Sequence, residues 1–406
     1  MTGRELPQNV YTQLGLRPGI NAAGTLTRLG GSRMDPEVTA AMAAAAQGFV
    51  PIDELQDAVA KRIVAATGAE AALVTSGAAA GLTLAAAACL AGHDFARIDR
   101  LPDTTAPDGT SFPSEIIIAR SHRNGYDHAL RAAGAKLVEV GLAERTRDPQ
   151  PWEIEAAIGP RTAAVAFCVG FSPLDLVAVI DVAHRHKLPV IVDAAAALPP
   201  RANLRAFIDA GADLVSFSGG KGLRGPQTTG ILCGRRELIS SAALQMLDLD
   251  FLPELWNPPS ELIDPAVVAR GVPNHGIGRG LKVGKEELVG LAVALERFLA
   301  LDEAAEIEKH AAASARLAKG LAGLPGVRVS LTARAGLWPH VLLAIDQQQA
   351  GICAVELVRR LAAGEPPIFV AQAAADRGLV GLDPFCLAPE EESMVIERFR
   401  TLLAPG

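Results

Sequence analysis

The stretch GADLVSFSGGKGLRGPQTTGILCG (residues 211–234) contains two short apolar runs separated by a glycine-rich loop that carries Lys221. Short runs of nearly continuous hydrophobicity are typical of strands that are buried on both faces of a sheet. A lysine on a protein surface needs no glycines around it, whereas a lysine that approaches a ligand in close quarters does. The stretch therefore predicts two buried strands with a functional lysine between them.

Five further apolar runs precede this stretch, and helical patterns lie between most of them. All seven runs are AALVTS (71–76), EIIIA (115–119), KLVEV (136–140), TAAVAFCV (162–169), LPVIVDA (188–194), ADLVSFS (212–218) and TGILCG (229–234). Buried strands that alternate with helices indicate a parallel sheet covered by helices on both faces. The chain is thus predicted to have an α/β fold with a mostly parallel seven-stranded sheet in a large domain.

The pattern changes near residue 285. One long helical stretch, residues 284–323, is followed by shorter strand and helix patterns up to the end of the chain. We therefore expect an N-terminal arm at residues 1–35, a large domain at 36–284, and a connector helix with a small α+β domain at 285–406. The segment 94–114 is rich in Pro, Asp and Thr, which predicts a long surface loop.

The composition excludes several classes of protein. The chain has 406 residues, 50% of them hydrophobic and 20% charged, and its net charge of −7 argues against general binding of nucleic acid. Its five cysteines are widely spaced and include no Cys-x-x-Cys pair, so neither a disulfide framework nor a metal site is expected. The first residues lack the apolar core of a signal peptide, and no apolar stretch reaches the ~20 residues of a membrane span. We expect a cytoplasmic protein that does not enter the membrane.

Polar residues follow four of the predicted strands. In an open parallel sheet, ligands bind outside the carboxyl ends of the strands, so these residues are expected to converge. They are Ser76, Gly77 and Ala78 after the first strand, His122 after the second, Asp193 at the end of the fifth, and Ser218 and Lys221 after the sixth.

The chemistry of these residues fits one cofactor better than it fits any single role. A Ser-Gly helix start offers free N–H groups to an anion such as phosphate. His122 can lie against an aromatic ring or act as an acid or base, and a buried Asp193 needs a cationic partner. Lys221 can form a Schiff base with a carbonyl. Phosphate, ring, protonated ring nitrogen and aldehyde are the parts of pyridoxal 5'-phosphate (PLP).

Each residue also has an ordinary interpretation. The helix start can be a simple cap, His122 a hydrogen-bonded loop residue, and Asp193 one half of a structural ion pair. Lys221 is harder to dismiss, because it alone among the eight lysines leaves a predicted strand at the functional edge. A Walker phosphate loop is excluded, because it needs Gly at 215 and Ser or Thr at 222, where this chain has Val and Gly.

Five segments resemble the bacterial selenocysteine synthase-like family of fold-type-I PLP-dependent enzymes, in the branch that includes D-glucosaminate-6-phosphate ammonia-lyase. They are INAAGTLTRLGGS (20–32), SHRNGYDHALRAAGAK (121–136), VIVDAAAALPP (190–200), VSFSGGKGLRGPQTTGILCGR (215–235) and GIGRGLKVGKEE (276–287). The lysine segment is the most specific of them. The resemblance implies a fold-type-I large domain and a small C-terminal domain.

The resemblance also implies roles for individual residues. Lys221 would hold the cofactor aldehyde and later act as the general base, Asp193 would pair with the ring nitrogen, and His122 would stack on the ring. The phosphate would be held by Ser76, Gly77, Ala78 and Ser218. Arg28, Arg279 and Lys282 are candidates to recognise a substrate carboxylate or phosphate, although a solvated basic turn explains them equally well.

The expected activity is that of a lyase. It would remove water and ammonia from a small β-hydroxy amino acid, such as the sugar amino acid D-glucosaminate 6-phosphate, to give a 2-oxo acid. Sites of this fold type are generally completed by a neighbouring subunit, so the resemblance implies a homodimer or a higher homo-oligomer.

Other activities stay open. An aldolase or racemase on a small amino acid would begin in the same way, and the segment AFCVGFSPLDL (166–176) does not match well enough to decide between them. A selenocysteine synthase-type transferase on seryl-tRNA is a further alternative, although the acidic chain and the early INAAGT segment weigh against tRNA. A scaffold that binds the cofactor without catalysis is the third.

Overall fold

The computed structural model describes residues 10–142, 148–334 and 336–404. Its strands are β1 (Ile20–Ala22), β2 (Ala71–Thr75), β3 (Glu115–Ala119), β4 (Lys136–Val140), β5 (Thr162–Cys168), β6 (Val190–Asp193), β7 (Leu214–Ser218), β8 (Gly230–Gly234), β9 (Val327–Arg334), β10 (Leu337–Ile345), β11 (Ile368–Val370) and β12 (Leu379–Leu382). The contacts divide the chain into a large unit, Met34–Ala300, and a small unit, which combines the chain before Met34 with the chain after Ala300.

The helices of the described residues are α1 (Val10–Gln13), α2 (Pro36–Ala45), α3 (Ile52–Thr67), α4 (Ala78–Ala91), α5 (Phe95–Arg100), α6 (His128–Ala132), α7 (Pro151–Ala157), α8 (Leu176–Arg185), α9 (Asn203–Asp209), α10 (Arg236–Leu244), α11 (Pro265–Val268), α12 (Lys285–Ala300), α13 (Glu303–Leu321), α14 (Gln347–Ala350), α15 (Ala354–Ala363) and α16 (Pro389–Leu403). None of them is both long and apolar enough to cross a membrane, within the part of the chain that the structure describes.

The seven predicted strands of the large unit form one sheet, in the order β2-β8-β7-β6-β5-β3-β4. The pairs β7–β6, β6–β5, β5–β3 and β3–β4 are parallel, whereas β8 is antiparallel to both β7 and β2. The connection from β7 to β8 spans only residues 219–229, which is too short for the crossover that a parallel pair requires. The prediction of a mostly parallel seven-stranded sheet is confirmed.

Helix α4 begins at the edge of the sheet where the candidate site lies. Its sequence AAAGLTLAAAACLA is apolar on every side, and nearly every residue of it is buried. The helix lies so close to β7 that a Cβ at Gly81 would approach Ser216 Oγ to 2.5 Å. Small side chains therefore fix α4 directly against the sheet, with its first turn just beyond the end of β2.

The predicted surface loop at residues 94–114 is wrong at its start, because Phe95–Arg100 forms helix α5. The Asp94 side chain caps this helix by accepting hydrogen bonds from the backbone N–H groups of Ala96 and Arg97, at 3.0 and 3.2 Å. Ile98 is fully buried beneath the helix. One short turn with a single buried residue shows no periodicity in the sequence, and the helix was therefore missed.

The predicted connector helix at residues 284–323 is also two helices rather than one. Helix α12 ends at Ala300, and α13 begins at Glu303 after Asp302, whose side chain accepts from Ala305 N–H at 3.1 Å. By its contacts α12 belongs to the large unit, whereas the sequence analysis had grouped it with the small domain. The apolar periodicity runs through the break, so one capping aspartate was the only signal.

The small unit is an α+β structure, as predicted. An antiparallel sheet in the order β12-β10-β9 packs against helices α13 and α15, and α16 packs against these two helices. Its core includes the fully buried side chains of Leu317, Leu343, Leu357, Val380 and Phe399. Strand β1 pairs in parallel with β11, with Ile20 opposite Ile368, so the N-terminal segment is part of this unit.

Candidate active site

The carboxyl ends of β2, β3, β5, β6 and β7 lie at one edge of the large sheet. Asp193 is the last residue of β6, opposite Cys168 at the end of β5. Ser218 ends β7 and pairs with Gly230, which in turn pairs with Thr75 at the end of β2. The structure therefore brings most of the predicted cofactor residues to a common edge, as the strand order requires.

Asp193 and Lys221 interact electrostatically at this edge, and burial shifts the pKa of both. Burial raises the pKa of Asp193, while the Ala195 N–H and the charge of Lys221 act in the opposite direction. Burial lowers the pKa of Lys221, and the charge of Asp193 opposes this effect. The Asp193 carboxyl accepts a hydrogen bond from Ala195 N–H at 3.1 Å. A carboxyl with a raised pKa is not fully compensated, so this pair can accommodate a further cationic group.

The start of α4 is an open anion site. Its N-cap residue, Gly77, has φ +106°, and no side chain caps the first turn of the helix. The first N–H groups of the helix therefore have no intrahelical partner. Gly230 lies against this turn so closely that a Cβ would come within 2.4 Å of the Gly77 carbonyl carbon. Thr75 Oγ1 donates to the Gly77 carbonyl at 2.9 Å and fixes the turn.

The glycines around Lys221 are needed for a tightly folded loop. A Cβ at Gly219 would lie 2.0 Å from Thr229 Oγ1, and one at Gly222 would lie 2.2 Å from the carbonyl oxygen of Leu198. The loop is thus packed against its own return and against the segment after β6. Lys221 is therefore held in one half-buried position. The glycines allow the loop to pack closely, and they do not leave the lysine free to move.

A buried polar atom lies beside the same loop. The side-chain oxygen of Gln227 is buried and has no hydrogen-bond partner in the described residues. A Cβ at Gly220 would approach this oxygen to 2.6 Å. An unpaired buried acceptor is costly, so a donor from a bound ligand fits this position.

His122 is completely buried at the end of the segment that follows β3. Its Nδ1 accepts a hydrogen bond from Cys168 N–H at 3.1 Å, and its Nε2 lies 2.9 Å from Ser172 Oγ. The ring centroids of Phe167 and His122 are 4.6 Å apart, and the ring planes lie at 85° in a T-shaped contact. Burial lowers the pKa of His122, and the charge of Asp148 opposes this. Stacking on a cofactor ring needs an open face, so that role stays a prediction and requires neighbouring groups to move.

The remaining candidates occupy different places. Ser76 and Ser218 are half-buried at the ends of β2 and β7. Arg279 lies in a 3-10 helix, Ile277–Leu281, where it pairs with Asp248 at 2.5 Å, and Lys282 follows it and is exposed. Arg28 is exposed in a 3-10 helix of the small unit. No group of three or more His, Cys, Asp or Glu side chains suited to a metal ion occurs among the described residues.

The sequence analysis missed Cys168 and Ser172, which hold His122. Ser172 lies just after β5, so the rule that selected the other candidates, which takes polar residues at strand ends, also covers it, whereas Cys168 acts through its backbone N–H. Ser172 lies four residues beyond the end of β5, in a segment for which no role could be assigned.

Comparisons with known proteins agree with this architecture. A model of the DegT/DnrJ/EryC1/StrS aminotransferase family matches residues 35–233. The chain is 31% identical to D-glucosaminate-6-phosphate ammonia lyase of Salmonella typhimurium, over 97% of this chain and 98% of that protein. The solved structure of a D-glucosaminate-6-phosphate ammonia-lyase matches with a TM-score of 0.75 and 29% identity, covering 98% of this chain and 99% of the other.

Two other relatives widen the range of chemistry. The chain is 32% identical to a 5'-C-glycyluridine monooxygenase-decarboxylase of a Streptomyces species, over 97% of this chain and 92% of that protein. It is 30% identical to L-seryl-tRNA(Sec) selenium transferase of Moorella thermoacetica, but over only 58% of this chain and 53% of that protein.

A mostly parallel seven-stranded sheet with a small antiparallel unit, together with these similarities, defines a PLP-dependent enzyme of fold type I. The site residues fit that cofactor: Asp193 lacks a full cationic partner, and the start of α4 is open to a phosphate. The chain belongs to the selenocysteine synthase-like family of these enzymes, in the branch that includes D-glucosaminate-6-phosphate ammonia-lyase.

Proposed function

We propose that this enzyme is a lyase that acts on a small β-hydroxy amino acid of the sugar-acid phosphate type, such as D-glucosaminate 6-phosphate. The substrate loses its α-proton and its β-hydroxyl, which leave together as water. The resulting enamine takes up water and releases ammonia, so that the organic product is a 2-oxo acid.

The observation that carries this proposal is the similarity to D-glucosaminate-6-phosphate ammonia lyase along almost the whole of both chains. A similarity of that extent includes the strand ends, the lysine loop and the small unit, and not only the cofactor-binding core. The half-buried Lys221 and Asp193 supply the chemical groups that an α-proton removal needs.

In this proposal Lys221 holds the cofactor covalently and moves the proton at the substrate α-carbon. Its lowered pKa raises the fraction of neutral amine at physiological pH, and only the neutral amine can accept a proton. Asp193 would hold its negative charge toward the ring nitrogen, and His122 would lie against the ring. When bound, PLP supplies an electron sink for the bond that breaks at the α-carbon.

The anionic ends of cofactor and substrate require separate sites. Ser76, Gly77 and Ala78 at the start of α4, with Ser218, would hold the cofactor phosphate. Arg28, Arg279 and Lys282 are proposed to bind the carboxylate and phosphate of the substrate. Each arginine can donate to two oxygens at once through its guanidinium, and Lys282 adds the single charge of an ammonium group. For Arg279 this means exchanging its ion pair with Asp248 for the substrate.

We also propose that the enzyme works in the cytoplasm as a homodimer or a higher homo-oligomer. Five widely spaced cysteines, all free in the structure, suit a reducing compartment. Large apolar side chains exposed on the large unit, Phe49 above all, are compatible with contact between subunits.

The test is a panel of D- and L-β-hydroxy amino acids, including phosphorylated sugar acids, assayed for ammonia and 2-oxo acid. The Lys221→Ala variant should lose at least about a thousandfold in rate and should no longer be labelled by PLP and borohydride. Lys61→Ala is the control, because Lys61 is exposed on α3, where it pairs with Asp57. Exchange of the amino group without ammonia release would contradict the lyase.

A second candidate is an oxygen-dependent decarboxylase, which the 32% identity to the glycyluridine enzyme favours. The two activities separate cleanly, because the lyase needs no oxygen and releases no carbon dioxide. Anaerobic turnover of the panel with stoichiometric ammonia supports the lyase. Oxygen uptake with loss of the carboxylate from a glycyl-nucleoside substrate supports the decarboxylase.

A further inference from the structure

A continuous chain of hydrogen bonds links the end of β5 to the protein surface through His122. Cys168 N–H donates to His122 Nδ1 at 3.1 Å, and His122 Nε2 lies 2.9 Å from Ser172 Oγ. Ser172 Oγ lies 3.4 Å from Ser121 Oγ, which donates to Asp148 Oδ1 at 2.7 Å. Residues from three separate segments of the large unit, 121–122, 148 and 168–172, thus form one chain of hydrogen bonds that includes the imidazole.

The direction of every bond in this chain is determined by its two ends. A backbone N–H can only donate, so His122 Nδ1 must present its lone pair to Cys168, and the ring proton is on Nε2. A carboxylate can only accept, so Ser121 gives its single hydroxyl proton to Asp148. The same hydroxyl is also directed at Ser172 Oγ, 3.4 Å away, and Ser172 Oγ accepts from His122 Nε2–H at 2.9 Å.

The same arrangement disfavours the histidine cation. A second ring proton would have to sit on Nδ1, where it would face the Cys168 N–H across 3.1 Å. That N–H cannot turn away, because Cys168 is paired with Asp193 in the sheet. Two donors would then oppose each other at a fully buried position, which disfavours the cation.

The charged groups around the ring do not reverse this preference for the neutral imidazole. Asp148 favours the cation, but it stands at the far end of the chain, while burial is the larger effect and lowers the pKa of His122. The Cys168 thiol has its pKa raised to about 12 and stays neutral. Arg123 and Asp127, on the segment that follows His122, pair with each other at 2.5 Å.

We propose that Cys168, Ser172, Ser121 and Asp148 hold His122 as a neutral imidazole with its proton on Nε2. The ring then keeps one orientation, and His122 does not transfer protons. Ser172, Ser121 and Asp148 are therefore positioning residues. The consequence for catalysis, that acid–base work falls to Lys221, rests on the proposed function. The protonation state of His122 does not rest on it.

The test is NMR of protein labelled with ¹⁵N-histidine, with the His122 signals assigned from the His122→Asn variant. We expect an unprotonated Nδ1, a protonated Nε2, and no titration of His122 between about pH 5.5 and 8.5, a range in which an exposed histidine titrates. A proton on Nδ1, or a His122 signal that titrates in this range, would overturn the proposal.

Matched variants test whether the hydrogen bond to Ser172 holds the Nε2 proton of His122 or only connects two loops. Ser172→Ala removes the acceptor of Nε2–H, so exchange of this proton with water should accelerate about tenfold or more, whereas Ser172→Thr should restore slow exchange. Asp148→Asn should have a smaller effect in the same direction, and Ser393→Ala, on α16 of the small unit, none. Unchanged exchange in Ser172→Ala would mean that Ser172 does not hold the imidazole.

Kinetics distinguish failure of this inference from failure of the proposed function. If the enzyme proves not to be a lyase, the NMR result still stands or falls alone. If it is a lyase, His122→Asn should lower the rate without removing a limb of its pH profile, because His122 carries no catalytic proton. Loss of one limb would show that His122 does titrate in catalysis.

Discussion

At the scale of single residues, one physical cause shifts the pKa of Asp193 and of Lys221. Burial penalises charge, so the pKa of the acid rises and the pKa of the base falls, while the mutual attraction of the two groups limits both changes. The protein therefore keeps a carboxyl in need of a cation beside an amine that readily becomes neutral. These are the two properties that a site for an aldehyde cofactor with a basic ring nitrogen requires.

Replacing Asp193 by Asn should move the reactivity of Lys221 to lower pH. The Asp193 charge raises the pKa of Lys221, so its removal leaves burial unopposed and lowers that pKa further. Reductive trapping of PLP on the apo protein, followed by mass spectrometry of the Lys221 peptide across a pH series, measures the effect. The rising limb of the trapping profile should shift to lower pH, and retention of the cofactor should fall. A limb that stays in place or moves to higher pH would show that the two groups do not interact.

Replacing Gly230 by Ala should weaken binding of the cofactor phosphate. The new Cβ would lie 2.4 Å from the Gly77 carbonyl carbon and 2.6 Å from Ala78 N, so the first turn of α4 must shift. We expect affinity for PLP to fall about tenfold or more, while affinity for pyridoxal, which has no phosphate, changes little. Gly159→Ala is the control, because no atom lies within 4 Å of its Cβ position. Equal losses for both ligands would place the damage elsewhere in the fold.

The sequence can predict a functional residue when its role follows from its position at the end of its own strand. Asp193 and Lys221 are of this kind, because a charge that ends an apolar run is visible in one dimension. Cys168 is of the other kind, because it acts on His122 through a backbone N–H that any residue would supply. Roles of that sort are set by the folded positions of distant segments, and no side-chain pattern encodes them.

At the scale of elements, the apolar runs predicted all seven strands of the large sheet and their mostly parallel arrangement, but not that β8 lies antiparallel to its neighbours. Hydrophobicity along β8 is the same whether it lies parallel or antiparallel to β7, and only the length of its connection decides. Helix boundaries were harder for a related reason. The apolar periodicity continues from α12 into α13, so the division at Asp302 depends on a single cap.

Asp213 illustrates how the opposite edge of the sheet is held together. Its buried carboxylate accepts from Val190 N–H at 2.7 Å, from His184 Nε2 at 2.9 Å and from Arg235 Nη1 at 3.1 Å. These donors come from the start of β6, from α8 and from the residue after β8. One side chain thus joins three elements at the amino ends of the central strands.

Replacing Asp213 by Ala should therefore destabilise the large unit by about 2–4 kcal/mol, since three donors lose their acceptor and one of them is a backbone N–H at the start of a strand. Urea unfolding followed by circular dichroism measures the loss. Asp209→Ala, which removes only an exposed pair with Arg205 at 3.9 Å, should cost less than about 0.5 kcal/mol. Because Asp213 is at the edge away from Lys221, PLP trapping by the folded variant should be unchanged. A lower trapping yield in folded Asp213→Ala would contradict this separation.

At the scale of the whole molecule, pairings between distant segments decide which parts of the chain fold together. Ile20 is paired with Ile368, and Ala23 bridges to Asp383, so part of the predicted N-terminal arm, Ile20–Ala22, forms a strand of the small unit. A strand of three residues gives no periodic signal. Its place could be found only from the partner strand, which lies near the other end of the chain.

Self-association also belongs to this scale, and its most informative surface is the exposed segment 49–52, where the loop leads into the first residue of α3. Phe49 is 97% exposed, Val50 52% and Ile52 46%. Scattered apolar side chains are common on surfaces, but three within four residues form a patch that water disfavours. A second copy of the chain is the partner that the homo-oligomer proposal provides, so Phe49→Ser with Val50→Ser should lower the mass of the particle.

Size-exclusion chromatography with light scattering tests this at several protein concentrations. The wild type should elute with a mass that is a multiple of one chain, and the double variant should shift toward a smaller species at the same concentration. Trp152→Ser is the matched control, because Trp152 is 62% exposed on α7, away in sequence from the loop, and the change should leave the mass as it is. If the wild type has the mass of a single chain at every concentration, the homo-oligomer is wrong. If it is oligomeric and the double variant matches it, the subunits meet through another surface.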